Sequence, residues 1–325
     1  MENRLCEILK VALAYKVSDI HFDMYEHAMR IEMRVGTKMR QLIPKEMDER
    51  LFRYLMYRAN LDVSDNFRPQ SGAFSFSCDG KELSLRFSVV SSYHMRTGVL
   101  RILNNHSSIT IAALSKDNSA LSYLSTITSK ENGLYLFSGP TGSGKTTTLY
   151  TILNEAKGKK IFTLEDPIEV FNEKYVQIQI NEKQNMSYAD GIRQLMRHDP
   201  DIIMIGEIRD EEVAKMCVRC ALTGHLVLST LHSFSCVSTI LRMLELGVEK
   251  YQLMDVLKGV SCQRLFTLEN GEKMGIYEIL HAEQLHDYFT KGELQDDFKT
   301  LDAKIHDAYD AHLLTFEQAS PYMQL

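Results

Sequence analysis

Between Gly139 and Tyr150 the chain reads GPTGSGKTTTLY, with three glycines, four threonines and one lysine. The spacing Gly139-x-x-x-x-Gly144-Lys145-Thr146 fits the phosphate-loop pattern in full. Glycines let backbone amides converge on an anion, and a helix N-terminus adds partial positive charge. Gly139, Pro140, Thr141, Gly142, Ser143, Gly144, Lys145, Thr146 and Thr147 are therefore the nucleotide-binding candidates. Lys145 is expected to reach the β- and γ-phosphates of ATP, and the Thr146 hydroxyl to sit on Mg²⁺. A plain helix-capping turn is the bland alternative. The context argues against it, because apolar GLYLF leads in and helical TTTLYTILNEA leads out.

A phosphate loop alone hydrolyses nothing; a metal-shell acid and a group that orients water are also needed. Two apolar runs end in acids. IFTLEDPIE carries Glu165, Asp166 and Glu169, and DIIMIGEIRD carries Glu207 and Asp210. A third run, TGHLVLSTLHS, carries His225 and His232. The catalytic candidates are Glu207, Glu165 and His232, the last as a γ-phosphate sensor able to donate near pH 7. His225 is carried as a nucleotide-facing candidate, with a structural role as its alternative. Glu207 and Glu165 are both open to the role of general base, and Glu165 is also a candidate for Mg²⁺, directly or through water.

These groups need a frame that brings strand ends together. After about residue 110 the chain shows short, nearly continuous apolar runs alternating with helical patterns, which predicts a mainly parallel sheet covered on both faces. In such sheets the ligand crevice lies at the carboxyl ends of the strands. The first hundred residues differ. A helix over residues 2–15, another near 48–59, and period-2 runs such as DIHFDMY, AMRIEMRV, GAFSFSC and LSLRFSVV predict a smaller α+β module with an antiparallel sheet. The expected organisation is an N-terminal domain at 1–104, a linker at 105–112 and an α/β domain at 113–325 with a helical tail from about 282.

The bulk numbers narrow the class. The 325 residues allow two cores, and the formal charge of −6 argues against coating nucleic acid. No run approaches the roughly 18–20 apolar residues of a membrane helix. MENRLCEILKVALAY lacks the basic start of a signal peptide. Six cysteines in apolar surroundings suit reduced thiols. Cys217 and Cys220 form a C-x-x-C inside a helical pattern, where core packing is the expected role.

Four stretches in this order resemble the secretion ATPase family that powers type IV pili, type II secretion and DNA-uptake pseudopili. GPTGSGKTTTLY is similar to its Walker A, TLEDPIE to its Asp box, RHDPDIIMIGEIRD to its Walker B and TGHLVLSTLHS to its His box. VSDIHFD, RPQSGAFSF and GVSCQRL…GIYEIL extend the likeness over about residues 16–280. The resemblance implies a RecA-like P-loop ATPase domain after a PAS-like N-terminal domain, with ATP bound between them and Arg86 and Arg101 completing the site. It further implies a homo-hexameric ring in the cytoplasm, peripheral at the inner face of the cell membrane. The implied partner is a polytopic membrane platform protein and, through it, pseudopilins, with no direct nucleic acid.

Two departures matter. Only FTLENGEKM separates Leu265 from Gly275, so the family's zinc-binding cysteine loop has no place and no zinc is expected. SFSC follows His232 where the family usually has Thr-Asn-Asp. The compact, zinc-free form is most similar to the competence pseudopilus ATPases of Gram-positive bacteria. Pilus retraction and type II secretion are the nearer alternatives, and a RecA-type nucleic-acid translocase the distant one.

Overall fold

A computed structural model of the chain describes all residues except 16, 18, 26–27, 36–37, 44, 46–47, 66, 93, 104–108, 170, 181–185 and 324–325. It divides into two units, one of Met1–Asn105 with Pro167–Asn172 and one of His106–Asp166 with Glu173–Leu325. Part of the expected linker thus lies outside the described residues.

In the first unit α1 (Glu2–Ala14) buries Leu5, Ile8, Leu9 and Ala12, the i, i+3, i+4, i+7 stripe of an amphipathic helix. α2 (Asp48–Arg58) buries Leu51, Phe52, Leu55 and Met56. The strands are β1 (Asp19–Met24), β2 (Met29–Val35), β3 (Lys38–Gln41), β4 (Gln70–Cys78), β5 (Lys81–Ser91) and β6 (Arg96–Leu103). They form one sheet in the order β3-β2-β1-β6-β5-β4, with every pairing antiparallel. β5 places Leu83, Leu85, Phe87 and Val89 on the buried face, and Phe87 meets Phe22 and Phe52 edge-on with centroids 6.0 and 5.4 Å apart. This is the antiparallel α+β module that the alternation predicts.

Cys6 and Cys78 are joined in a disulfide, whereas the sequence reading had all six cysteines as reduced thiols. α1 and the end of β4 bring their Cα atoms to 5.4 Å, within bonding reach, although they lie 72 residues apart in the chain. Cys217, Cys220, Cys236 and Cys262 are free and buried.

The second unit holds β7 (Gly133–Ser138), β8 (Ile161–Glu165), β9 (Tyr175–Gln179), β10 (Ile202–Ile205), β11 (Leu226–Leu231), β12 (Leu257–Thr267) and β13 (Lys273–His281). Their order is β13-β12-β7-β11-β10-β8-β9. All neighbours are parallel except the β12–β13 hairpin. β7, β8, β10 and β11 are buried at every position, as strands covered on both faces must be.

The helices are α3 (Asn118–Thr126), α4 (Lys145–Glu155), α5 (Tyr188–Leu195), α6 (Glu211–Leu222), α7 (Cys236–Glu245), α8 (Lys250–Val256), α9 (Ala282–Lys291), α10 (Leu301–Asp310) and the short α11 (Phe316–Ala319). Cys217 and Cys220 lie on the buried side of α6, in the core. The tail is part of that core too, through Leu285, Phe289, Leu301, Ile305, Ala308, Leu314 and Ala319. Among the described residues no helix is long and apolar enough to cross a membrane.

Candidate functional site

β7 ends at Ser138, the glycine-rich loop follows, and α4 begins at Lys145 with Gly144 as its cap. Two glycines are required by geometry. At Gly139 (φ +140°) a Cβ would lie 2.5 Å from the Gln263 carbonyl oxygen and 2.7 Å from Ser143 Oγ. Gly144 is left-handed, with φ +89°. Lys145, buried, donates from Nζ to the carbonyl oxygens of Gly139 at 2.7 Å and Pro140 at 3.1 Å. The ammonium therefore closes over the mouth of its own loop. Thr148, one turn into α4, shares a 2.9 Å hydrogen bond with Tyr277 on β13 and fixes the helix against the hairpin. Thr141 and Gly142 are exposed at the loop tip, and Thr146 and Thr147 are half-buried on the first turn.

β8, β10 and β11 run parallel to β7, so their carboxyl ends reach the same edge of the sheet as the loop. Glu165 is the last residue of β8 and only 3% exposed. Its Oε2 accepts from Tyr150 Oη at 2.6 Å, and its Oε1 accepts from Thr163 Oγ1 at 2.6 Å and Gln177 Nε2 at 3.2 Å. Gln177 also donates to Tyr150 Oη at 3.0 Å. Three uncharged donors, from β8, from α4 and from edge strand β9, thus fix this buried carboxylate.

Glu207, two residues beyond β10, is more open. It pairs with Arg209 Nε, and its Oε2 lies 3.4 Å from His232 Nε2 just after β11. Arg209 also donates to Asp166 at 3.1 Å, which ties the two acidic strand ends together. Burial, then the nearby Lys145 and Arg209 cations, lower the His232 pKa, so its neutral form prevails at pH 7. Asp210 caps α6 by accepting from Val213 N at 2.9 Å.

The fold does not bring every candidate to this edge. His225 precedes β11 and accepts from Gly133 N, the first residue of β7, at 3.1 Å. Its ring Nδ1 lies 3.1 Å from both the Cys220 carbonyl and Thr223 Oγ1. His232 lies seven residues further along β11, about 23 Å away at 3.3 Å per residue. Arg86 and Arg101 belong to the first unit, where they stand directly opposite each other on β5 and β6. Arg101 donates to Asp19 at 2.7 Å, and Arg86 Nε donates to Ser71 Oγ at 3.1 Å.

Sequence reading missed the supports: Tyr150, Thr163 and Gln177 around Glu165, and Gln263 beside the loop. The signal for Gln263 was an uncharged polar residue inside the apolar run GVSCQRLF.

A family model described as Type II/IV secretion system protein matches residues 1–292. Type II secretion system protein E of Pseudomonas aeruginosa is 38% identical over 264 residues, covering 79% of this chain and 52% of that protein. The chain thus spans about half the length of this relative. Competence protein ComGA of Bacillus subtilis is 33% identical over 300 residues, covering 86% of this chain and 84% of ComGA. Among solved structures, the pilus retraction motor PilT with bound ADP superposes with a TM-score of 0.78 at 26% identity, covering 98% of this chain and 97% of that one. Because the family match runs through the phosphate loop and all three strand ends that face it, the chain is a member of the Type II/IV secretion system protein family.

Proposed function

We propose that this chain is an ATP-hydrolysing hexameric motor that drives assembly of a competence, DNA-uptake pseudopilus through a polytopic membrane platform protein. The observation that carries the reading is the phosphate loop with Glu165, Glu207 and His232 along one edge of a parallel sheet. Likeness to ComGA over most of both chains supports the competence role. A retraction motor is the second reading, favoured by likeness to PilT over nearly the whole of both chains. The domains are read as a PAS-like 1–104 and a RecA-like 113–325, working in the cytoplasm against the inner face of the membrane.

Residues 139–147 hold the nucleotide, and Lys145 exchanges its loop carbonyls for β- and γ-phosphate oxygens. Thr146 would hold Mg²⁺, with Glu165 reaching it directly or through water, a fit supported by the hard oxygen donors that the first turn of α4 and the end of β8 supply. The ion, when bound, offsets charge on the transferring phosphoryl group. Glu207 is assigned as the base because it is less enclosed than Glu165 and is not held by three neutral donors; to act it must part from Arg209. Water attacks the γ-phosphorus, its proton passes to Glu207, and ADP leaves; His232 senses the γ-phosphate. Arg86 and Arg101 act on turnover. No zinc is part of the proposal.

The test is Lys145→Ala. Removing the charge that compensates the phosphates is expected to bring ATP turnover to background, and turnover like that of the unmodified chain would end the reading.

A further inference from the structure

We infer that Gln263 is a positioning residue of the phosphate loop, holding the Ser143–Gly144 peptide in its anion-binding orientation. The inference rests on the nucleotide-binding reading of that loop. Gln263 follows Cys262, which pairs with Ser138 at the end of β7, so β12 carries its side chain alongside the loop. Its Nε2 donates to the Ser143 carbonyl oxygen at 2.6 Å. The same nitrogen lies 3.2 Å from where a Gly144 Cβ would stand, and the Gln263 backbone oxygen lies 2.5 Å from where a Gly139 Cβ would stand. One residue therefore abuts the loop at its start and at its end.

The contact has a directional consequence. A peptide is planar and trans, so its C=O and N–H point to opposite sides. Tying the Ser143 oxygen to β12 turns the Gly144 N–H away from β12. That N–H is one of the donors with which a phosphate loop receives its anion. The left-handed Gly144, φ +89°, is the backbone state this tie preserves.

A second observation points the same way. Gln263 is 1% exposed, yet its Oε1 has no hydrogen-bond partner, and neither has the buried Ser143 Oγ beside it. A buried acceptor left unpaired costs stability, and an apolar side chain of the same shape would not carry that cost. Packing alone does not call for glutamine here. The amide donor does.

Gln263→Met in the full chain removes donor and orphan acceptor at nearly constant volume, and Gln263→Leu repeats this with another apolar shape. Both are measured for ATP and ADP affinity by calorimetry, for KM and kcat, and for thermal melting. Losing one neutral hydrogen bond that holds the loop predicts five- to tenfold weaker binding, roughly, of both nucleotides. KM should move more than kcat, and the melting temperature should stay nearly level, since the gain from removing the orphan Oε1 is offset by the donor lost to the Ser143 oxygen. Affinity equal to the unmodified chain in both variants overturns the inference. So does a melting temperature that falls in both, or failure of both to fold, since the role would then be structural. If the unmodified chain binds no nucleotide, the phosphate-loop reading itself fails, which is a separate result.

Discussion

Glu278 accepts the first backbone N–H of α10, from Leu301, at 2.7 Å, while its other oxygen accepts the first N–H of α7, from Cys236, at 2.5 Å. The carboxylate sits in β13 at 2% exposure. One buried anion thus completes the N-termini of two helices, where unpaired donors and positive dipole ends converge. It joins the C-terminal tail to the helix that follows His232.

Glu278→Ala leaves both helix N–H groups buried without an acceptor and is expected to cost ~3 kcal/mol of stability. Glu278→Gln keeps one acceptor and should cost about half as much. Chemical unfolding measures both, and limited proteolysis should show earlier cleavage around residues 292–300. An alanine variant as stable as the unmodified chain would mean that water replaces the carboxylate.

Glu207→Gln is expected to bind ATP and not hydrolyse it. An amide still accepts a hydrogen bond but cannot take a proton from water. Glu165→Gln should also be slow, because the amide keeps one acceptor oxygen and so loses one of the Tyr150 and Thr163 contacts, and it should weaken nucleotide binding as well. Single-turnover assays with affinity measured in parallel separate the two, and normal turnover in Glu207→Gln with a dead Glu165→Gln reverses the assignment.

Arg86→Ala and Arg101→Ala should lower kcat while leaving nucleotide affinity and melting temperature nearly unchanged. Arginines acting only on the transition state behave this way, with effects of roughly 10³-fold or more in other phosphate-transferring enzymes. Activity and melting temperature falling together would assign both arginines to surface pairing.

Reductant should destabilise the first unit. In the loop-entropy account a bond closing a 72-residue separation contributes at most about 4.4 kcal/mol. Thiol counting on chain denatured without reductant should give four free cysteines, and Cys6→Ser should abolish the response of melting temperature to reductant. Six free thiols would show that the bond does not form in solution.

The parallel sheet was legible because β7, β8, β10 and β11 are buried, mostly apolar runs that end in or lead directly into glycine, acid or histidine. β3 was not, since all four of its residues are exposed and show no alternation. Gln177 and Tyr150 could not be linked to Glu165 by spacing, because three separate elements meet there. The Cys6–Cys78 bond was hidden for the same reason, as its partners are local to nothing but the folded sheet. The placement of His225 failed to follow from its motif, because a histidine at the start of a parallel strand sits at the far edge from one at its end.

The strand order has a consequence for synthesis. β7 carries the phosphate loop, yet its two neighbours are β11 and β12, which begin at Leu226 and Leu257. A chain still emerging from the ribosome therefore has the loop residues long before it has the strands that hold them. Such distant pairings close late and slowly, because the intervening chain must be ordered first. Nucleotide can stabilise this unit only near the end of its translation, and a ribosome-bound chain halted before β12 is expected to gain no protease resistance from ATP.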